Sequence, residues 1–151
     1  MEIKVKVNVK VSITNSKIEA KNITIESGAF EDIPHYSGLS SEYLYSILLH
    51  GTRDGRIPSR NVLSFLERFI ENNKEKFVQI YIDNIYTSPE AVGHAAGQII
   101  NAEHRRLISD IVSPSNAIST IYLKGFDNPL IWTGSLQSSI FYSINGEGRY
   151  V

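Results

Sequence analysis

Apolar and polar residues alternate strictly at the start of the chain, where Ile3, Val5, Val7, Val9, Val11 and Ile13 interleave with Lys4, Lys6, Asn8, Lys10 and Ser12. A period of two predicts a half-buried β-strand. Asn15 and Ser16 supply turn chemistry, and residues 18–25 are again rich in β-branched side chains, with a slip of phase between Ala20 and Ile23 that predicts a bulge. Residues 1–27 are therefore expected to form a long, projecting β-hairpin.

Residues 28–39 are irregular, with Pro34 and Gly38 breaking the chain and Phe30 and Tyr36 as expected anchors. Ser40 can accept from the free amides of a first helical turn, Glu42 sits near its positive end, and Leu44, Ile47 and Leu48 share a face that Gly51 ends. Tyr45, Ile47 and Leu49 also alternate, which leaves a strand open there. Helical spacing resumes after Ser59 with Val62, Leu63, Phe65, Leu66, Phe69 and Ile70, crosses the polar run 71–76, and continues through Phe77, Ile80, Tyr81, Ile85 and Tyr86. Ser88 and Pro89 then read as N-cap and first residue of another helix, striped by Val92, Ala95, Ala96, Ile99, Ile100, Leu107 and Ile108 and stopped by Pro114. The small residues Gly93, Ala95, Ala96 and Gly97 are expected to admit a second helix closely. Residues 40–112 thus form the helical part, a short helix and a long helical hairpin.

Beyond Pro114, residues 115–120 read as loop, 121–123 as a short strand and 125–129 as a turn. Leu130, Ile131 and Trp132 are a buried apolar trio, Thr133 can cap one turn from Gly134 to Ser138, and Ile140 opens a strand that Asn145-Gly146 turns back toward Arg149. The predicted architecture is α+β over a single domain, residues 1–151. In it the N-terminal β-hairpin and the C-terminal strands of residues 113–151 form an antiparallel sheet packed against the helical hairpin and the short helix. Leu130, Trp132, Thr133, Gly134, Leu136, Ser139 and Ile140 form its expected fold-determining corner, where Gly134→Val should abolish folding or assembly.

Composition narrows the chemistry. A formal net charge of -1 over 151 residues excludes a strongly basic nucleic-acid binder, so any contact with DNA must use local patches. The lysines of the first strand, Lys4, Lys6 and Lys10, are the candidate DNA-facing set, although a solvated strand face is the preferred reading of them. No cysteine is present, which removes disulfides and thiolate chemistry and fits a reducing cytosol. The first residues do not read as a signal peptide, and no apolar run approaches the roughly 20 residues of a membrane span. The histidines His35, His50, His94 and His104 never stand at metal-ligand spacing, no Gly-x-Ser-x-Gly elbow occurs, and carboxylates such as Glu71, Glu75 and Asp83 fall on a polar helix face. No catalytic, cofactor-binding or metal-binding residue is assigned. The loop 50–60 is locally basic but lacks the Gly-Lys-Ser/Thr ending of a phosphate-binding loop.

Three stretches, in order, resemble a known family. Residues 45–63 run from an apolar helix through Gly51-Thr52 and a short loop to Ile57-Pro58-Ser59-Arg60-Asn61-Val62-Leu63. Residues 114–125 read Pro114-Ser115-Asn116-Ala117-Ile118-Ser119-Thr120-Ile121, then Lys124-Gly125, and residues 128–144 contain Pro129-Leu130-Ile131-Trp132-Thr133-Gly134-Ser135-Leu136-Gln137-Ser138-Ser139-Ile140 before an aromatic strand. Together they are similar to the tail-completion and head-tail connector (neck) proteins of long-tailed bacteriophages, a group overlapping the tail-component and virion-morphogenesis families. Asn61-Val62 stands where that family has Pro-Phe, Trp132 where it has Asp, and Gln137 where it has Arg.

The resemblance implies a structural virion protein and not an enzyme. Such a protein forms a ring, six-fold in the usual case, joining the portal-side connector to the tail tube or terminator protein while genomic DNA passes non-specifically through its lumen. It implies a place in the virion neck or tail, assembly in the host bacterial cytoplasm, no cofactor and no membrane partner. A ring needs heterologous contacts. The expected inter-subunit loop is Gly51, Thr52, Arg53, Arg56, Ile57, Pro58 and Arg60, beside the hairpin. A tail-terminator or tail-end role is the nearest alternative. A small DNA-binding accessory protein, or a hydrolase using loop-adjacent His50, lies further off.

Overall fold

A computed structural model of the chain describes residues 4–9, 22–30, 38–111, 113–130 and 134–151, the first segment as backbone only. Its strands are β1 (Lys4–Val9), β2 (Ile23–Ala29), β3 (Ile140–Ile144) and β4 (Glu147–Tyr150), antiparallel in one sheet of order β1-β2-β3-β4. The helices are α1 (Ser41–His50), α2 (Val62–Asn72), α3 (Lys74–Asn84), α4 (Pro89–Asp110), α5 (Ile118–Lys124) and α6 (Ser135–Ser138). This is the expected α+β arrangement.

The first two strands pair from Lys4↔Gly28 to Val9↔Ile23, and β2 pairs on its other edge with β3, from Ile25↔Ile144 to Ala29↔Ile140. The paired part of the hairpin is therefore integral to the sheet. As an interior strand, β2 buries Ile23, Ile25 and Ala29, and also Glu26 and Ser27. The bulge and turn expected within residues 10–21 lie outside the described residues, as do Lys10, Pro34, His35 and Tyr36. Asn145 and Gly146 both take positive φ, 53° and 80°, the requirement of a tight two-residue hairpin turn between β3 and β4.

Side-chain caps decide where α1, α2 and α4 begin. Ser40 Oγ accepts from Tyr43 N at 3.2 Å and the Gly51 amide closes on Ile47 O at 2.8 Å, which resolves residues 41–50 as helix over strand. Asn61 caps α2 by accepting from Ser64 N at 3.2 Å. The polar run after α2 is a break at Asn73, whose side chain donates to Phe69 O at 2.8 Å. Ser88 accepts from Ala91 N at 3.0 Å, with Pro89 following as the first helical residue, where its missing amide costs nothing.

The 22 residues of α4 span about 33 Å and lie between the sheet and the pair α2 and α3. Val92, Ala96, Ile100, Leu107 and Ile108 join Leu66, Phe77 and Tyr81 in the core. The close approach expected of the small residues is made to a strand, not a helix. Gly93 lies against Ile144 and Gly97 against Tyr142, both on β3.

After α4, which ends at Asp110 within two residues of the expected boundary, one expectation fails: residues 118–124, expected as loop and then strand, form α5. A short apolar run carries no period that separates the two structures. What ends α5 is Gly125 in the left-handed conformation, φ 78°, its amide bonded to Ile121 O at 2.8 Å.

Candidate functional site: a cleft beneath the short helix α5

The loop after α1 is built from its own side chains. Gly51 has φ 73°, and a Cβ there would fall 2.5 Å from Ile57 O and 2.8 Å from Ser59 N, so the loop's return strand runs against a bare backbone. Thr52 N donates to Ile57 O at 2.9 Å and Ile57 N to Thr52 Oγ1 at 3.0 Å. Asp54 accepts from Thr52 Oγ1 at 2.6 Å and Arg56 N at 3.1 Å, and these bonds hold its carboxyl below the usual range. Arg53, Asp54, Gly55 and Arg56 are exposed at the tip, and Ser59 Oγ ties the far end to Leu49 O at 2.5 Å.

Arg60 leaves this exposed loop for the interior, where it is 3% exposed. Its Nε donates to Pro114 O at 3.2 Å and its Nη1 to Pro58 O at 3.3 Å. Burial lowers its pKa, and the field of Asp127 opposes that. Arg60 therefore acts as a strut between the loop and the segment leading into α5, while Nη2 donates to no group among the described residues.

Beside Arg60 opens a cleft of about 380 Å³. Leu44 and Leu48 come from α1, Ile57 and Pro58 from the loop, Ala117 from the N-cap of α5, Thr120 and Lys124 from α5 itself, and Pro129, Leu130 and Leu136 from the corner. The lining is mainly apolar, with Arg56, Arg60 and Lys124 as its cations. Lys124 Nζ donates to Asn128 O at 2.5 Å and lies 4.9 Å above the Phe126 ring. Its pKa is lowered, first by burial, while Asp127 opposes and Arg60 adds to the lowering. Asp127 accepts from Asn116 N at 2.9 Å and Nδ2 at 3.1 Å, and its carboxyl is held low mainly by that backbone bond. Of the expected loop set, Arg56, Ile57, Pro58 and Arg60 line this cleft. Gly51 and Thr52 shape the loop behind them, and Arg53 is exposed at the tip, outside the lining.

The corner docks on α4 through polar bonds. Asn128 Nδ2 donates to Ser109 O at 2.6 Å, Gln137 Nε2 donates to Arg105 O at 3.2 Å and to Ser109 Oγ, and Arg105 returns two bonds to Ile140 O at 3.0 and 2.6 Å. Leu130, Leu136, Ser139 and Ile140 are buried. Gly134 takes φ 80° at the start of α6 with nothing within 4 Å of a Cβ, so its demand is conformational only. Trp132 and Thr133 lie outside the described residues.

Lys4 and Lys6 pair in register with Gly28 and Glu26. The cleft and the candidate lysines draw on separate parts of the chain.

One polar cluster was missed in the sequence. His104 is fully buried, with Nδ1 3.0 Å from Ser27 Oγ and Nε2 hydrogen-bonded to Tyr45 OH. Ser27 Oγ donates to Asn101 Oδ1 at 3.1 Å, so it accepts from His104 Nδ1–H, and Nε2 accepts from Tyr45. The imidazole is neutral, its pKa pushed down to about 3 by burial, while burial raises that of Tyr45. This chain pins α4 to β2 and α1. The serine and histidine touch, but both are sealed at 0% exposure, and no carboxylate joins them among these bonds. A signal existed: Asn101 and His104 continue the spacing of Gly93 and Gly97 along the face that meets the sheet.

Among the described residues no group of three or more His, Asp or Glu could hold a metal ion, and no helix is long and apolar enough to cross a membrane. No protein-family model, curated protein or solved structure matches the chain.

Proposed function

We propose that this protein is a structural component of a bacteriophage neck, a non-enzymatic subunit of a homo-oligomeric ring, six-fold by the resemblance. The ring joins the portal-side connector to the tail tube or terminator and lets the genome pass. The observation that supports the reading is the convergence of the three family-like stretches on one cleft. Ile57, Pro58 and Arg60 come from the first, Asn116, Ala117, Thr120 and Lys124 from the second, and Pro129, Leu130 and Leu136 from the third. Segments scattered over about 90 positions of sequence would resemble one family together for a physical reason if they build one surface. Lys124-Gly125 also gains a concrete role there, the lysine facing the cleft and the glycine ending α5.

In this reading the protein works by shape and closure, with weak sequence-independent electrostatics toward the passing DNA. The place is the virion neck, reached by assembly in the bacterial cytoplasm. Deleting the gene from a producing phage tests it. Unjoined heads and tails, restored to whole virions by the gene in trans, are expected, with the protein detected at the head-tail junction by imaging of the restored particles. Normal virions without the gene would overturn the proposal.

A further inference from the structure

Arg60 is a cation in the interior without an anion in contact. At 3% exposure its guanidinium bonds only to the neutral carbonyls of Pro58 and Pro114, and no carboxylate among the described residues forms an ion pair with it. Neutral acceptors offset only part of the hydration that a buried cation has lost. Its remaining group, Nη2, is unbonded among the described residues, and the side chain lines the cleft of about 380 Å³. Lys124 lines the same cleft, donates to Asn128 O at 2.5 Å, and feels the field of Arg60, which helps to lower its pKa. Two cations thus face one cleft and repel each other.

The other charges nearby do not neutralise the pair. Arg56, also in the lining, is already matched with Asp54 at 3.2 Å and stands largely in solvent. The field of Asp127 reaches both Arg60 and Lys124, but its carboxylate is engaged with Asn116 and is not part of the lining. Two cations against one distant carboxylate leave a single positive charge over the cleft, which suits a monoanion and not a doubly charged phosphate.

Around the cations the walls are aliphatic, with Leu44, Leu48, Ile57, Leu130 and Leu136 and no aromatic ring among the described lining residues. Helices α1, α5 and α6 and the loop after α1 supply most of them, so no strand edge is offered to an extended peptide. A peptide would bury its own N–H and C=O groups there without partners, whereas a hydrocarbon chain has none to satisfy. The volume lies at the lower end of small-molecule sites.

We infer that this cleft binds an aliphatic monocarboxylate, with the carboxylate on Arg60 and Lys124 and the hydrocarbon chain against Leu44, Leu48 and Leu136. Failure of such a ligand to bind would leave the neck proposal standing, since only the cleft's own charges and lining call for it.

Octanoate, octanol and a short peptide ending in leucine are each titrated into the purified full-length protein and followed by amide NMR shifts. Octanoate should bind one per chain, with shifts confined to α1, α5, the corner and the loop between α1 and α2, and at least roughly tenfold more tightly than octanol. Lys124→Met should weaken octanoate by roughly tenfold while leaving octanol unchanged. Thr120→Trp, which fills the cleft from α5, should abolish binding of both, and each variant should keep the circular dichroism of the parent. Octanol binding as tightly as octanoate would overturn the anion site, and a tighter peptide would overturn the ligand class. Octanoate binding that neither substitution alters, or no saturable shift at about 1 mM octanoate, would overturn the site itself.

Discussion

Gly97 on α4 lies directly against the ring of Tyr142 on β3, and a Cβ there would come within 2.5 Å of Cε2 and 3.1 Å of Cγ. Helix and sheet meet at backbone distance at this point. Alanine at position 97 would gain about 1 kcal/mol of helix propensity, but displacing a ring whose hydroxyl is held by His94 Nδ1 at 3.0 Å should cost about 2–3 kcal/mol. Gly97→Ala is expected to lower stability by about 1–2 kcal/mol in urea unfolding. Gly93→Ala, which meets Cγ1, Cγ2 and Cδ1 of the stiff β-branched Ile144 at 2.8–3.0 Å, should lower it by a similar amount.

His104 makes stability depend on acidity. Its folded pKa of about 3 lies below the 6.5 of an exposed histidine, so between those values the unfolded chain binds a proton that the native state refuses. This contribution is fully present above pH 6.5 and falls by up to about 1.4 kcal/mol per pH unit as pH drops toward 3. Denaturant midpoints measured across that window should show the slope, and in His104→Gln this component should vanish while stability near neutrality falls by about 2–3 kcal/mol.

Gly51 and Gly134 both have positive φ but should answer differently to a side chain. Alanine at 51 meets backbone atoms that cannot turn aside, so Gly51→Ala should cost about 3 kcal/mol or more. Around Gly134 there is open space, and only the left-handed backbone resists. Gly134→Ala should cost about 1 kcal/mol and Gly134→Val about 2, leaving a folded protein by circular dichroism. That is milder than the loss of folding or assembly expected from the sequence.

Arg60→Met should loosen the cleft. The methionine keeps much of the stem's packing but leaves Pro114 O without its donor, for a loss of about 2 kcal/mol. Arg60→Lys should recover little, because one ammonium cannot reproduce the fork that spans Pro58 and Pro114. Thermal denaturation of the two variants compares them directly.

The parts of this fold legible in the sequence are those with local causes. Ser40, Ser88 and the Asn145-Gly146 turn act within four residues, and the alternating start has a period that only a strand satisfies. The status of residues 118–124 was not legible, because a mixed apolar run without period is decided by the glycine that follows and by the cleft beneath. The role of Gly93 and Gly97 was half legible: small residues announce a close approach, but not whether the visitor is helix or strand. The cleft was not legible, since residues 57, 120 and 136 carry no pattern linking them and the resemblance joined their stretches to no common site. The buried role of His104 was not legible because its partners Ser27 and Tyr45 stand 77 and 59 positions away.

The pairing of β2 with β3 has a kinetic consequence. Thr24 and Asn145, bonded at the end of that ladder, are 121 positions apart, and every helix is encoded between them. Until β3 has been synthesised, β2 has a vacant edge, and Ile23 and Ile25 lack the strand that completes their surroundings. Contacts of such long sequence separation slow folding and prolong the life of partly formed, adhesive intermediates. A chain lacking its third strand also lacks the finished corner, so the cleft that the corner lines forms only after β3 has been made.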